Sequence, residues 1–150
     1  MKRLTLLFWV QLIIGLCISC KAQNQVSQQN TILMNGNKMK IKVGDKLFTA
    51  TLLNTPTAIA FKALLPLTIK MNELNNNEKY ADLPKGLPIN ASVPPSIQTG
   101  DLMMFGSRTL VLFYKGFTTS YSYTKIGKID VVSGLGAALG GSNVKVYFEL

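Results

Sequence analysis

Lys38-Met39-Lys40-Ile41-Lys42-Val43-Gly44-Asp45 alternates strictly over its first six residues. Met39, Ile41 and Val43 fall on one side and the lysines on the other, the period of a half-buried strand. Gly44-Asp45 supplies a two-residue hairpin turn, and Lys46 to Leu53, rich in Phe, Thr and Leu, reads as the return strand. The same period closes the chain, where Val144, Val146, Phe148 and Leu150 alternate with Lys145, Tyr147 and Glu149.

Between these ends the pattern switches several times. Thr55-Pro56 opens a helix near 55–65: Thr caps it, and Pro occupies the first helical position, where its missing N–H costs nothing. Ala58, Phe61, Leu64 and Leu65 form its apolar face, and Pro66 stops it. Leu67, Ile69 and Met71 alternate as a strand, and Asn75-Asn76-Asn77 is a turn. Tyr80 to Ser96 contains Pro84, Pro88, Pro94 and Pro95 without a period and reads as a long stiffened loop, a class that is often functional. Leu102 to Phe105 is a short strand, and Gly106-Ser107 turns the chain into Thr109–Tyr114, apolar on both faces and therefore central. Tyr121–Lys125 reads as a further strand, and Ser133–Leu139 as a short helix, near 134–139, stopped by Gly140-Gly141. Seven or eight strands and two short helices in such a length predict a mainly β fold, either a sandwich or a closed barrel.

The chain has 150 residues, 47% hydrophobic and 15% charged, which suits one folded domain. It contains no His, which excludes Ser-His-Asp and Cys-His catalysis and every His-ligated metal site. Met1-Lys2-Arg3 followed by the apolar run Leu4–Ser19 reads as an export signal over 1–19, too short for a usual membrane span. Ser19-Cys20 resembles the lipobox of bacterial lipoproteins, with Cys17 where Leu is usual. That resemblance implies acylation of Cys20 as the mature N-terminus; ordinary signal cleavage or an uncleaved anchor are the alternatives. Residues 20–37 then form a lipidated N-terminus and polar tether, and 38–150 the domain. The expected location is the cell envelope, periplasmic or outer membrane. After removal of the leader 14 basic residues face 7 acidic ones, a net +7. The lysines are spread singly, which suits solvated strand faces and anionic lipid headgroups better than nucleic acid.

Lys38–Leu53, Thr55–Pro66, Leu67–Asn75, Gly100–Met103, Leu110–Tyr114 and Ser120–Ile129 together resemble the bacterial cyclophilin-like domain family. The resemblance covers 38–150 and implies a closed cyclophilin-like β-barrel of about eight strands with two short helices capping its ends. Most members have no known function, and some follow lipoprotein signals. Cyclophilins themselves isomerise X-Pro bonds with an Arg in a Phe-His-Arg motif, beside a Gln, apolar residues and a His. That motif has no counterpart here: His is absent, and the only Arg after the leader, Arg108, falls in a predicted hairpin turn. No catalytic residue is assigned.

Tyr114, Phe117, Tyr121 and Tyr123 place four aromatics within ten residues, with Tyr121 and Tyr123 on one strand face. They are the candidate ligand-binding residues, apolar walls with phenol hydroxyls; the bland alternative is packing over the barrel exterior or rim. If the Tyr80–Ser96 loop and the Lys115–Ser120 connection share a side of the barrel, they enclose an aromatic groove suited to an extended apolar ligand. Glu73, Glu78 and Asp82 match no cation-binding loop, and Gly134–Gly140 fails as a dinucleotide fingerprint because too few residues follow it. No metal and no organic cofactor is expected. The expectation is a monomeric, lipid-anchored, non-enzymatic binding or accessory module for a small molecule or peptide. The alternative is a divergent peptidyl-prolyl isomerase.

Overall fold

The computed structural model describes residues 36–150. The leader, Cys20 and all of the tether except residues 36 and 37 lie outside them. The strands are β1 (Lys38–Val43), β2 (Lys46–Leu52), β3 (Leu67–Leu74), β4 (Glu78–Asp82), β5 (Asp101–Phe105), β6 (Thr109–Phe113), β7 (Thr124–Ile129) and β8 (Val144–Glu149). Two short helices, α1 (Pro56–Lys62) and α2 (Leu135–Leu139), complete the domain. The strands close into an antiparallel barrel in the order β1-β2-β7-β5-β6-β4-β3-β8.

The opening hairpin behaves as its sequence dictates. Val43 pairs with Lys46 across Gly44-Asp45, and Gly44 takes a left-handed φ of 55° that a side chain would resist. Met39, Ile41 and Val43 face the interior with Val146 and Phe148 of β8, and Phe61 of α1 meets Phe148 edge to face at 5.9 Å. Thr55 caps α1 through Oγ1, which accepts from the Ala58 N–H at 3.2 Å. α1 joins the ends of β2 and β3 at one mouth of the barrel; α2 joins β7 to β8 at the other. Each sends side chains into the core, Ala58 and Phe61 from α1, Leu135 and Leu139 from α2.

Three boundaries differ from the sequence reading. The long loop begins at Leu83, because Glu78–Asp82 pairs on both sides, with β3 and with β6. Its charges disguised it: Lys79 points inward and is ion-paired, so no apolar alternation marks the strand. The strand placed at Tyr121–Lys125 is Thr124–Ile129, with Tyr121 and Tyr123 preceding it. α1 ends at Lys62; Leu64 and Leu65 continue in tighter turns, their N–H groups bonded to Phe61 and Lys62 carbonyls.

β6 is buried on both faces as expected. Leu110 and Leu112 enter the barrel, while Val111 and Phe113 join Ile97, Met103 and Tyr123 in a second cluster on the outside of the wall. That outer layer builds the site.

Candidate functional site

β4 and β6 pair so that Glu78 lies opposite Phe113, Tyr80 opposite Val111 and Asp82 opposite Thr109. By the alternation of a strand these residues share the outer face of the wall. The segment after β6 folds back over it. Phe117 bonds with Ile97 and Tyr123 with Ser92 through backbone bridges, which fix two aromatic rings above the sheet. Phe113 meets Phe117 at 5.7 Å and Tyr123 at 5.4 Å, and Tyr123 meets Phe105 at 5.7 Å.

These elements enclose a groove of about 680 Å³. Asn75 and Asn77 of the β3–β4 turn, Leu74 and Glu78 form one end; Phe105, Thr109 and Tyr121 form the other; Tyr80, Val111, Phe117 and Tyr123 lie between. Thr118, Thr119 and Ser120 complete the rim with hydroxyls. Four strand steps separate Phe113 from Thr109, so the groove runs about 13 Å along β6. Among the described residues Glu78 is the only charged side chain lining it.

The candidate aromatics divide. Phe117, Tyr121 and Tyr123 line the groove, but Tyr123 is 7% exposed and Tyr121 63%, so one is structural wall and the other open rim. Tyr114 is not there. It packs in the barrel core, and its hydroxyl donates to the Glu73 carboxylate at 2.9 Å. Burial, that hydrogen bond and the Glu73 charge push its phenol up to about 12. The reason is the strand period: Tyr114 continues the inward-facing register of Leu110 and Leu112. The proline-rich loop does not wall the groove either. Pro88, Ile89, Asn90 and Ser92 line a separate depression of about 400 Å³ beside α1, with Tyr123 shared by both.

Glu73, Glu78 and Asp82 go to three different places. Glu73 pairs with Lys79, which is fully buried and also donates to the carbonyls of Gly140 and Ser142 at 2.8 and 2.7 Å. Burial by itself would push the Glu73 carboxyl up; the hydrogen bonds from Lys79 and Tyr114, the Lys79 charge and the Asn76 N–H outweigh it and hold it below the usual range. Asp82 accepts from the Thr109 hydroxyl at 2.7 Å. Glu78 faces the groove, and burial together with the Glu73 charge pushes its carboxyl up. Arg108 sits in the β5–β6 turn, as its sequence position implies, and donates to the Leu83 carbonyl at 3.2 Å. No group of three metal-ligating His, Cys, Asp or Glu side chains comes together among the described residues.

Residues 41–149 match the cyclophilin-like family. The chain belongs to that family. The match spans most of the cyclophilin-like barrel from β1 to β8, in agreement with the strand blocks quoted above. No curated protein and no solved structure matches the chain. Asn77, Glu78, Tyr80 and Phe105 are groove residues that the sequence did not single out for binding. The signal for Glu78 and Tyr80 is their alternation with Asp82, hidden because Lys79, inside the barrel, looks like a solvent-facing residue.

Proposed function

We propose that this cyclophilin-like domain is a binding or accessory module, exported and held at the cell envelope by lipid on Cys20, with a small molecule or peptide seated in the β4–β6 groove. The observation that carries the proposal is the groove itself. It presents Leu74, Phe105 and Tyr121 with 40%, 47% and 63% of their surfaces exposed in one channel. A concentration of exposed apolar surface on one concave face is characteristic of binding sites. The Ser19-Cys20 pair after an apolar leader supports the anchor.

A divergent prolyl isomerase in the same groove is the competing reading. Isomerisation is accelerated by a donor aimed at the prolyl nitrogen, and Arg108 is engaged with Leu83 and does not line the groove. Binding without turnover is therefore the better reading. A thermal-shift screen of small molecules and proline-containing peptides, on the wild type and Tyr121→Ala, tests binding; a proline-peptide isomerisation assay tests turnover. Stabilisation that Tyr121→Ala reduces, without isomerisation, is the expected result. Isomerisation well above the uncatalysed rate overturns the non-enzymatic reading.

A further inference from the structure

The groove is selective as well as apolar. Glu78 is 7% exposed and lines it, yet its carboxylate makes no hydrogen bond and no ion pair among the described residues. Most of the Glu78 side chain is out of water, where carboxylates are normally paired, and its unpaired oxygens keep only some access to solvent. Next to it in sequence, Asn77 Oδ1 is buried and has no hydrogen-bond donor, while the Asn77 residue lines the same end of the groove. Glu78 therefore brings an unpaired carboxylate to one end of a channel that also carries Tyr80, Phe117, Tyr123, Phe105 and Tyr121. The chain carries a formal charge of +9, but among the described residues no Lys or Arg lines the groove. The nearby Lys79 points the other way, into the barrel mouth, where its donors go to Glu73, Gly140 and Ser142.

We propose that the groove takes an organic cation: a ligand with a protonated amine at the Glu78–Asn77 end and an apolar or aromatic body lying along Tyr80 and Val111 toward Phe105 and Tyr121. The proposal rests on the groove being the ligand site and adds the ligand's chemical class. An ammonium group supplies the counter-charge Glu78 lacks. Its hydrogen bonds to a carboxylate are of the stronger, charge-assisted kind. Aromatic faces beside the carboxylate add cation–π attraction. A bare metal ion is the poorer fit, since hard cations take six or more oxygen ligands and Glu78 is the only carboxylate lining this channel among the described residues. The raised Glu78 carboxyl, due to burial and then to the Glu73 charge, agrees with an acid waiting for a counter-ion.

The test uses three ligands of one shape: 4-phenylbutylamine, the neutral 4-phenylbutanol and the anionic 4-phenylbutyrate. Each is titrated calorimetrically into the full-length chain and into Glu78→Gln. The expected result is that the amine binds at least tenfold tighter than the alcohol, with the carboxylate weakest, and that Glu78→Gln removes the preference for the amine. If the alcohol binds the wild type as well as the amine does, the cation proposal is overturned while the groove remains a binding site. If none of the three binds, the groove reading falls and the proposal with it. The wild-type comparison decides even where Glu78→Gln fails to fold.

Discussion

Phe105 and Tyr121 meet edge to face, with ring centroids 6.0 Å apart and planes at 90°, although Phe105 is about half exposed and Tyr121 more so. The pair closes the groove at the end opposite Glu78. Such a contact contributes about 1 kcal/mol beyond area burial, enough to hold an exposed rim in place. Tyr121→Ala is expected to lower the melting temperature by only about 3–5 °C and to weaken ligand binding roughly tenfold, about 1.4 kcal/mol. Parallel thermal melts and titrations check both.

Tyr123→Ala is expected to behave differently. Its ring is 7% exposed and packs against Phe105 and Phe113. Removing a buried aromatic costs about 3–5 kcal/mol, so urea unfolding of this variant is expected to show a large fall in midpoint. A Tyr121/Tyr123 double variant would mix the two effects; single variants keep binding and stability apart.

The Lys79–Glu73 pair makes an asymmetric prediction. The Lys79 side chain is fully buried, while Glu73 keeps 16% of its side chain exposed. Glu73→Gln leaves a buried ammonium without its counter-charge, a loss of about 3 kcal/mol. Lys79→Met leaves a carboxylate that water can reach, and is expected to cost less, about 1–2 kcal/mol. Denaturant titrations of the two variants give the order, and a larger loss for Lys79→Met contradicts it.

The two glutamates pull stability in opposite directions with pH. The Glu73 carboxyl is held below its usual range by Lys79 and Tyr114 against the effect of burial, so its contribution is present above the unfolded-chain value. That contribution is lost as pH falls through the lowered folded value. The Glu78 carboxyl is pushed up by burial and by Glu73, so the fold gains relative stability below the ordinary glutamate value and loses it as pH rises through the raised one. The Tyr123 phenol is also pushed up, by burial and then by the Glu78 and Tyr121 charges. Without ligand, Glu78→Gln is therefore expected to raise the melting temperature at neutral pH and to flatten the slope just above the ordinary glutamate value. Melts of Glu78→Gln and Glu73→Gln, taken from pH below the ordinary glutamate value up to neutrality, check the signs.

Gly127 tests the barrel closure. It sits opposite Leu52 of β2 and Leu102 of β5, and a Cβ there would lie 2.5 Å from the Thr51 carbonyl oxygen. Backbone cannot yield as a side-chain tip can, so Gly127→Ala is expected to cost about 1–3 kcal/mol. Circular dichroism melts read the loss; an unchanged melt contradicts this packing.

The parts of the fold that the sequence revealed are those with a clean period: β1 with its Gly44-Asp45 turn, the Thr55-Pro56 helix start, and β8. β4 stayed hidden because Lys79 turns inward to Glu73, and no local pattern distinguishes a buried paired lysine from a solvated one. The aromatic run Tyr114–Tyr123 was visible as composition. Its division was not, since Tyr114 still follows the β6 register into the core, whereas Phe117 and Tyr123 are set by backbone bridges to Ile97 and Ser92. Those are non-local contacts. For the same reason Asn77 and Glu78 gave no hint of a groove end: they become one only when the 117–123 segment folds over β4 and β6.

The most direct measurement is a map of backbone and aromatic NMR shift changes as the best ligand from the thermal-shift screen is titrated into isotopically labelled protein. Ligand in the β4–β6 groove predicts changes at Asn77, Glu78, Tyr80, Val111, Phe117 and Tyr121, with Tyr114 and the proline-rich loop nearly still. Changes centred on Pro88–Ser92 and α1, or on the lysine faces of β1 and β8, would contradict it.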